Sequence, residues 1–136
     1  MDNCIFCKIA KGEIPSAKIY EDEKYLAFLD IAPANKGHSL VIPKKHHETT
    51  LDMSADDLAE LMKIVHRVTE AIRKALKPDG YNVFINNKPA AGQIVPHAHF
   101  HIVPRYNGDG IRFDWPKQKY AEGEMYKLKA KITQNL

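Results

Sequence analysis

The stretch His97-Ala98-His99-Phe100-His101-Ile102-Val103 decides how this chain is read. Three imidazoles alternate with three apolar residues, the period of an extended strand whose successive side chains face opposite ways. Ala98, Phe100 and Ile102 are therefore expected in a core. His97, His99 and His101 are expected together on the other face, about 7 Å apart at each two-residue step. A lone histidine facing a core is usually a hydrogen-bonded packing residue. Three in strict alternation point instead to chemistry or metal binding, because imidazole serves as both nucleophile and proton donor near neutral pH.

Two chemistries fit such a strand. Histidines two apart can share a zinc or copper ion. Alternatively, a central imidazole attacks an electrophile while its neighbours bind charge and move protons. The flanks favour the second. Ahead of the strand, Asn86-Asn87-Lys88-Pro89-Ala90-Ala91-Gly92-Gln93 is a loop of small and amide-bearing residues. Gly92 permits close approach of backbone to a ligand, and the amides of Asn86 and Gln93 are donors for anionic oxygen. Pro104-Arg105 adds a positive charge after the strand. Donors around imidazoles, with few carboxylates nearby, suit a phosphate better than a Mg²⁺ or Ca²⁺ cluster.

The pattern Gly92-Gln93-x-Val95-x-His97-x-His99-x-His101 resembles the signature of the histidine triad (HIT) superfamily of nucleotide hydrolases and transferases. The similarity extends through Cys4-Ile5-Phe6-Cys7-Lys8-Ile9, Leu26-Ala27-Phe28-Leu29-Asp30, Gly37-His38-Ser39-Leu40-Val41-Ile42-Pro43-Lys44-Lys45-His46 and Pro104-Arg105. It covers about residues 3–110 and leaves a C-terminal extension, 111–136. The resemblance implies roles residue by residue. His99 matches the nucleophile that attacks the α-phosphorus and forms a nucleotidyl-histidine. His101 matches the residue that hydrogen-bonds phosphate oxygens, with His97 as the third triad member and His38 as a supporting histidine. Asn86, Gly92 and Gln93 match the phosphate-holding loop. Asp30 corresponds to the carboxylate that meets ribose hydroxyls, and Phe6, Ile9, Phe28 and Ile31 to the apolar slot for a purine base. Competing roles exist: Phe28 and Ile31 suit an ordinary core, and Asp30, just ahead of Ile31-Ala32-Pro33, suits a turn. One position departs from the family pattern. Ile94 stands where one branch has a serine linked to leaving-group protonation, so water or His97 is left to supply that proton.

The cysteines, Cys4 and Cys7, are the only two in the chain and are spaced as C-x-x-C. No export signal favours a disulfide, and a pair at this spacing grips one zinc, which takes four nitrogen or sulfur ligands. Unliganded thiols and a thioredoxin-type redox pair are the alternatives; the redox motif normally follows a strand, whereas three residues precede Cys4. Zinc-bearing relatives complete such a site with the residues matching His46 and His97, and the resemblance implies a structural Zn²⁺ here. His47 neighbours His46 but points away from it on a strand. No dependence on Mg²⁺ follows from the sequence.

Length and composition agree with one small domain spanning 1–136. A chain of 136 residues buries roughly 68% of its unfolded surface. A hydrophobic content of 44% beside 27% charged residues is that of a globular chain, and a net charge of +3 is too small for a nucleic-acid binder. No apolar run spans a membrane, and Asp2, Lys8 and Lys11 interrupt any signal peptide. A cytoplasmic location is therefore expected.

Strands are expected at 18–21, 25–30, 39–43, 81–86 and 98–103, with Asp22-Glu23-Lys24 as a hairpin turn. One long helix is expected from Ala55 to Leu76, capped by Ser54, with Leu58, Leu61, Met62, Val65, Ile72 and Leu76 as its apolar stripe and His66 in solvent. A last helix is expected over 122–132. Together these elements make an α+β fold. The resemblance implies a five-stranded, mainly antiparallel sheet with one long helix and short terminal helices, paired as a homodimer. The expected activity is cleavage at the α-phosphate of purine nucleotide conjugates (phosphoramidates, adenylates or dinucleoside polyphosphates) through His99. Two readings compete with it: a metallohydrolase whose triad holds a catalytic ion, and a zinc-stabilised nucleotide-binding or adaptor protein with little turnover. Neither nucleic acid nor a membrane is an expected partner.

Overall fold

Side-chain alternation divides the apolar residues of the central strands into two sets, and a different helix covers each set. The computed structural model describes residues 3–136. Helix α1 (Ile5–Ala10) is followed by β1 (Lys18–Glu21), β2 (Tyr25–Leu29) and β3 (Ser39–Pro43). Helix α2 (Ala55–Leu76), β4 (Gly80–Ile85), β5 (Phe100–Arg105) and helix α3 (Glu124–Thr133) complete the order. The strands form one five-stranded sheet, β1-β2-β3-β5-β4, antiparallel at every pairing. Tyr25, Ala27, Val41, Ala98, Phe100 and Ile102 face α2. Leu26, Phe28, Leu40 and Ile42 face the opposite way and pack with Phe6 and Ile9 of α1.

Helix α2 starts and stops where its sequence dictates. The Ser54 hydroxyl accepts from the Asp57 amide at 3.1 Å, satisfying one of the helix's free N-terminal donors. Lys77 closes it in the left-handed conformation just before Pro78. Its buried stripe is Leu61, Ile64, Val65, Val68 and Ile72. Met62 and Leu76 lie outside that stripe, about 40% exposed, so the contact face is rotated toward Ile64 and Val68 relative to the sequence expectation. His66 is exposed, as expected.

The expected strand at 98–103 begins two residues late. The Ala98 amide donates to the His47 carbonyl at 2.7 Å, and the His97 carbonyl is occupied by the ring of His99. Neither residue is available to the β3 ladder, so 97–99 precedes β5 as irregular chain. Among the described residues, no helix is long and apolar enough to cross a membrane.

The rotated face of α2 gives a paired test by urea unfolding. Leu61→Ala should lose about 2–5 kcal/mol, and Met62→Ala should stay within about 0.5 kcal/mol of the parent. Equal losses would place the wrong face against the sheet.

Candidate active site and metal centre

The sheet face that carries α1 also carries a groove of about 1090 Å³. Register places His101 at its floor, opposite Leu40 on β3 and Phe84 on β4. On the β2–β3 side the groove is lined by Phe6, Ile9, Phe28, Asp30 and Ile31. On the β4 side it is lined by Asn82, Phe84, Asn86, Gly92, Ile94 and Phe113. His38, His99 and His101 stand between these two lobes.

Hydrogen bonds fix which ring nitrogens carry protons. His99 Nδ1 lies 2.6 Å from the His97 carbonyl. A carbonyl only accepts, so Nδ1 bears the hydrogen and Nε2 keeps its lone pair. The Ala34 amide donates to His38 Nδ1 at 3.1 Å, so His38 carries its hydrogen on Nε2. That nitrogen is 3.0 Å from His101 Nδ1, which must accept, leaving His101 with an Nε2–H donor. Two rings whose centroids are 4.8 Å apart thus present opposite polarity: a lone pair on His99 and a donor on His101. Burial lowers the pKa of His38 and His99 and brings His101 down to about 4, so these rings are neutral at pH 7. The Phe84 ring stacks on His101, with centroids 4.6 Å apart and planes 9° from parallel.

Asp30 makes two contacts. Its Oδ1 accepts from the Ala32 amide at 2.9 Å, the turn contact that suits its place ahead of Ala32-Pro33. Its Oδ2 lies 3.7 Å from His38 Nε2 on the groove wall. In the facing loop, Gly92 holds a φ of 92°, a conformation that L side chains rarely adopt. The Asn86 amide is only loosely engaged, 3.5 Å from the Gly92 carbonyl.

Two sequence-selected residues do not line the groove. Gln93 is buried, and both ends of its amide are committed: Oε1 accepts from the Lys88 amide at 2.6 Å, and Nε2 donates to the Glu48 carbonyl at 2.7 Å. It fastens the loop from outside the groove lining. His97 is fully buried and turned toward the cysteines, so the expectation of three imidazoles in one pocket holds for His99 and His101 only. Its burial also removes it as a proton source for a leaving group.

His97 belongs to a second cluster. Its Nε2 lies 2.7 Å from the Pro43 carbonyl and therefore bears the hydrogen, so Nδ1 turns a lone pair toward Cys4 Sγ at 3.3 Å and Cys7 Sγ at 3.5 Å. His46 Nδ1 is 3.3 Å from Cys7 Sγ. All four ligand atoms lie within 4.8 Å of one another. A tetrahedral zinc requires nitrogen–sulfur separations of roughly 3.6 Å, so these residues fit the ion. Burial, with Cys4 alongside, pushes the Cys7 thiol up to about 11, and a cation is what would hold it as thiolate.

The sequence reading missed Phe84, Asn82 and Phe113. Alternation along Tyr81–Ile85 would have put Asn82 and Phe84 on one face; their pairing with β5 was the missing information. Phe113 lies in the extension, where no periodicity marks it.

The family model for the HIT domain matches residues 11–108. The chain is 43% identical to the adenosine 5'-monophosphoramidase of Schizosaccharomyces pombe, over 98% of each chain. A crystal structure of a HIT family member from Bacillus subtilis superposes with a TM-score of 0.92 at 43% identity, covering 98% of this chain and 97% of that one. A zinc-bound histidine triad protein from Mycobacterium smegmatis superposes with a TM-score of 0.77 at 40% identity, covering 98% and 95%.

Ring protonation is open to direct measurement. An NMR titration should show His101 neutral through pH 6.5, the ordinary imidazole value, and protonating near pH 4. Between those values the unfolded chain binds more protons, so stability should fall as the pH drops from 6.5 toward 4. A His101 midpoint near 6.5 would contradict the buried relay.

Proposed function

Since this chain belongs to the HIT domain family, we propose that it cleaves purine nucleotide conjugates at the α-phosphate through a covalent intermediate on His99. The observation that carries the reading is the opposed polarity of the two rings. The His97 carbonyl directs the lone pair of His99 Nε2 into the groove, and the relay from Ala34 through His38 gives His101 an N–H for a phosphate oxygen.

The chemistry follows from that pairing. The base enters the apolar slot of Phe6, Ile9, Phe28 and Ile31, the ribose hydroxyls meet Asp30, and the phosphate rests on Asn86, Gly92 and His101. His99 Nε2 attacks phosphorus; the N–P bond forms as the bond to the leaving group breaks, and the leaving group takes the electron pair. His101 stabilises charge as it grows on the phosphoryl oxygens. Ile94 has no hydroxyl and His97 is buried, so solvent protonates a basic leaving group. Water then attacks phosphorus, the P–N bond breaks and the nucleoside monophosphate is released. Burial keeps His99 neutral, so its lone pair is available at neutral pH without a separate base.

The named activity of the Schizosaccharomyces pombe relative supports a phosphoramidate or related nucleotide conjugate as substrate. A Zn²⁺ at Cys4, Cys7, His46 and His97 is part of the proposal, supported by the ligand geometry and the zinc-bound neighbour. The ion would supply a structural crosslink between α1 and the triad segment. The proposal also includes a homodimer of single-domain protomers working in the cytoplasm. Support for pairing comes from α3, which carries Met125, Tyr126 and Ile132 exposed, and from β4, which lies at a sheet edge.

Two experiments test the reading. His99→Ala should abolish turnover of adenosine phosphoramidates while keeping the fold and much of the AMP affinity; wild-type rates in that variant would remove the nucleophile. Metal analysis should find about one zinc per chain in the parent and a marked loss in Cys4→Ala, and equal content in both would remove the metal site.

A further inference from the structure

The four candidate metal ligands sit on three segments, and each segment continues into a different part of the groove. Cys4 and Cys7 flank Phe6 at the start of α1. The edge of the Phe6 ring meets His97 and His99 at centroid distances of 5.9 and 5.0 Å, and Phe6 and Ile9 line the base side of the groove. His97 supplies the carbonyl that sets the tautomer of His99. His46 opens the segment 46–50, which fastens the phosphate-side loop. There Glu48 takes the Gln93 amide on its carbonyl at 2.7 Å and the Lys88 ammonium on its carboxylate at 2.9 Å. Thr50 donates to Asn87 Oδ1 from its backbone amide at 2.9 Å and from its hydroxyl at 3.2 Å.

None of these parts is rigid by itself. Helix α1 has six residues, far below the length at which a helix holds without outside contacts. The loop 86–93 places Lys88 at a φ of 73°, unusual for a side-chain-bearing residue. Bonds within the loop hold that turn, and residues 48–50 tie the loop to the rest of the chain. The cluster is where the three segments meet.

We infer that this cluster and the nucleotide groove are thermodynamically coupled: an ion at Cys4, Cys7, His46 and His97 tightens nucleotide binding, and a bound nucleotide tightens the hold on the ion by the same factor. The inference rests on the proposed function, since it takes the groove as a nucleotide site and the cluster as a zinc site. The physical cause is shared ordering. Core packing of Phe6 and Ile9 and the His97–Pro43 bond place these parts without the ion. The ion narrows the motion left to them, so a nucleotide binding the loaded protein has less ordering to do than one binding the stripped protein. Linkage requires the effect to be reciprocal.

The test measures both affinities without reference to turnover. AMP binding is followed by calorimetry in the zinc-loaded and the chelator-stripped protein, and zinc affinity by competition with a chromophoric chelator, with and without AMP. Stripping should weaken AMP binding by about 5-fold or more, within the usual range of coupling between sites, and AMP should raise zinc affinity by the same factor. Circular dichroism should show the stripped protein still folded. In Cys4→Ser, which keeps three ligands, both affinities should fall together.

AMP binding that is equal in loaded and stripped protein overturns the coupling and leaves the proposed function standing. Zinc loss in Cys4→Ser with unchanged AMP affinity does the same. A stripped protein that is unfolded also overturns it, because the ion would then be a condition for folding and not a modulator of the groove. A loaded protein that binds no AMP removes the proposed function itself, and the coupling with it.

Discussion

The hydrogen bond from His97 Nε2 to the Pro43 carbonyl, 2.7 Å long and fully buried, is the constraint on which the rest of the site depends. A buried imidazole must satisfy its donor, and β3 ends with a carbonyl in the right place. Once Nε2 is committed, Nδ1 has only the cysteine side to face. The backbone of the same residue meanwhile offers its carbonyl to His99. One residue therefore orients two clusters, and it does so from outside the groove.

Neutrality of the groove imidazoles is the second consequence of burial. Desolvation penalises the charged ring, and here it acts on His38, His99 and His101 together. Protonation of His99 would remove its lone pair, while the donor on His101 is supplied by the relay and needs no positive charge. Burial thus preserves the lone pair on His99 and leaves the donor on His101 uncharged. The relay ends on the backbone at Ala34, so the proton pattern is anchored to the fold and not to solvent.

Much of this was legible in the residues. The alternation of Ala98, Phe100 and Ile102 places the α2-facing core correctly, Ser54 and Leu76 mark the bounds of α2, and the C-x-x-C spacing picks out the two cysteines that cluster with His46 and His97. What failed, failed for local reasons. Strict alternation puts His97 beside His99, but the Ala98 amide bonds to the His47 carbonyl and the His97 carbonyl meets the His99 ring, so neither joins β3, and the His97 ring turns to the cysteines. Gln93 carries the right functional group for an anion, yet a buried amide satisfies its own loop first. Met62 and Leu76 fall outside the buried stripe of α2 because helical periodicity alone does not fix which of two adjacent rows meets a twisted sheet. Phe84 could not be chosen without the register of β4 against β5.

The central claim is that the reaction at phosphorus passes through His99, and the stereochemistry at that phosphorus tests it most directly. With a substrate chiral at the α-phosphorus, attack by His99 followed by attack by water gives two inversions, and the account predicts net retention of configuration. Net inversion, the mark of a single direct attack by water, would contradict it.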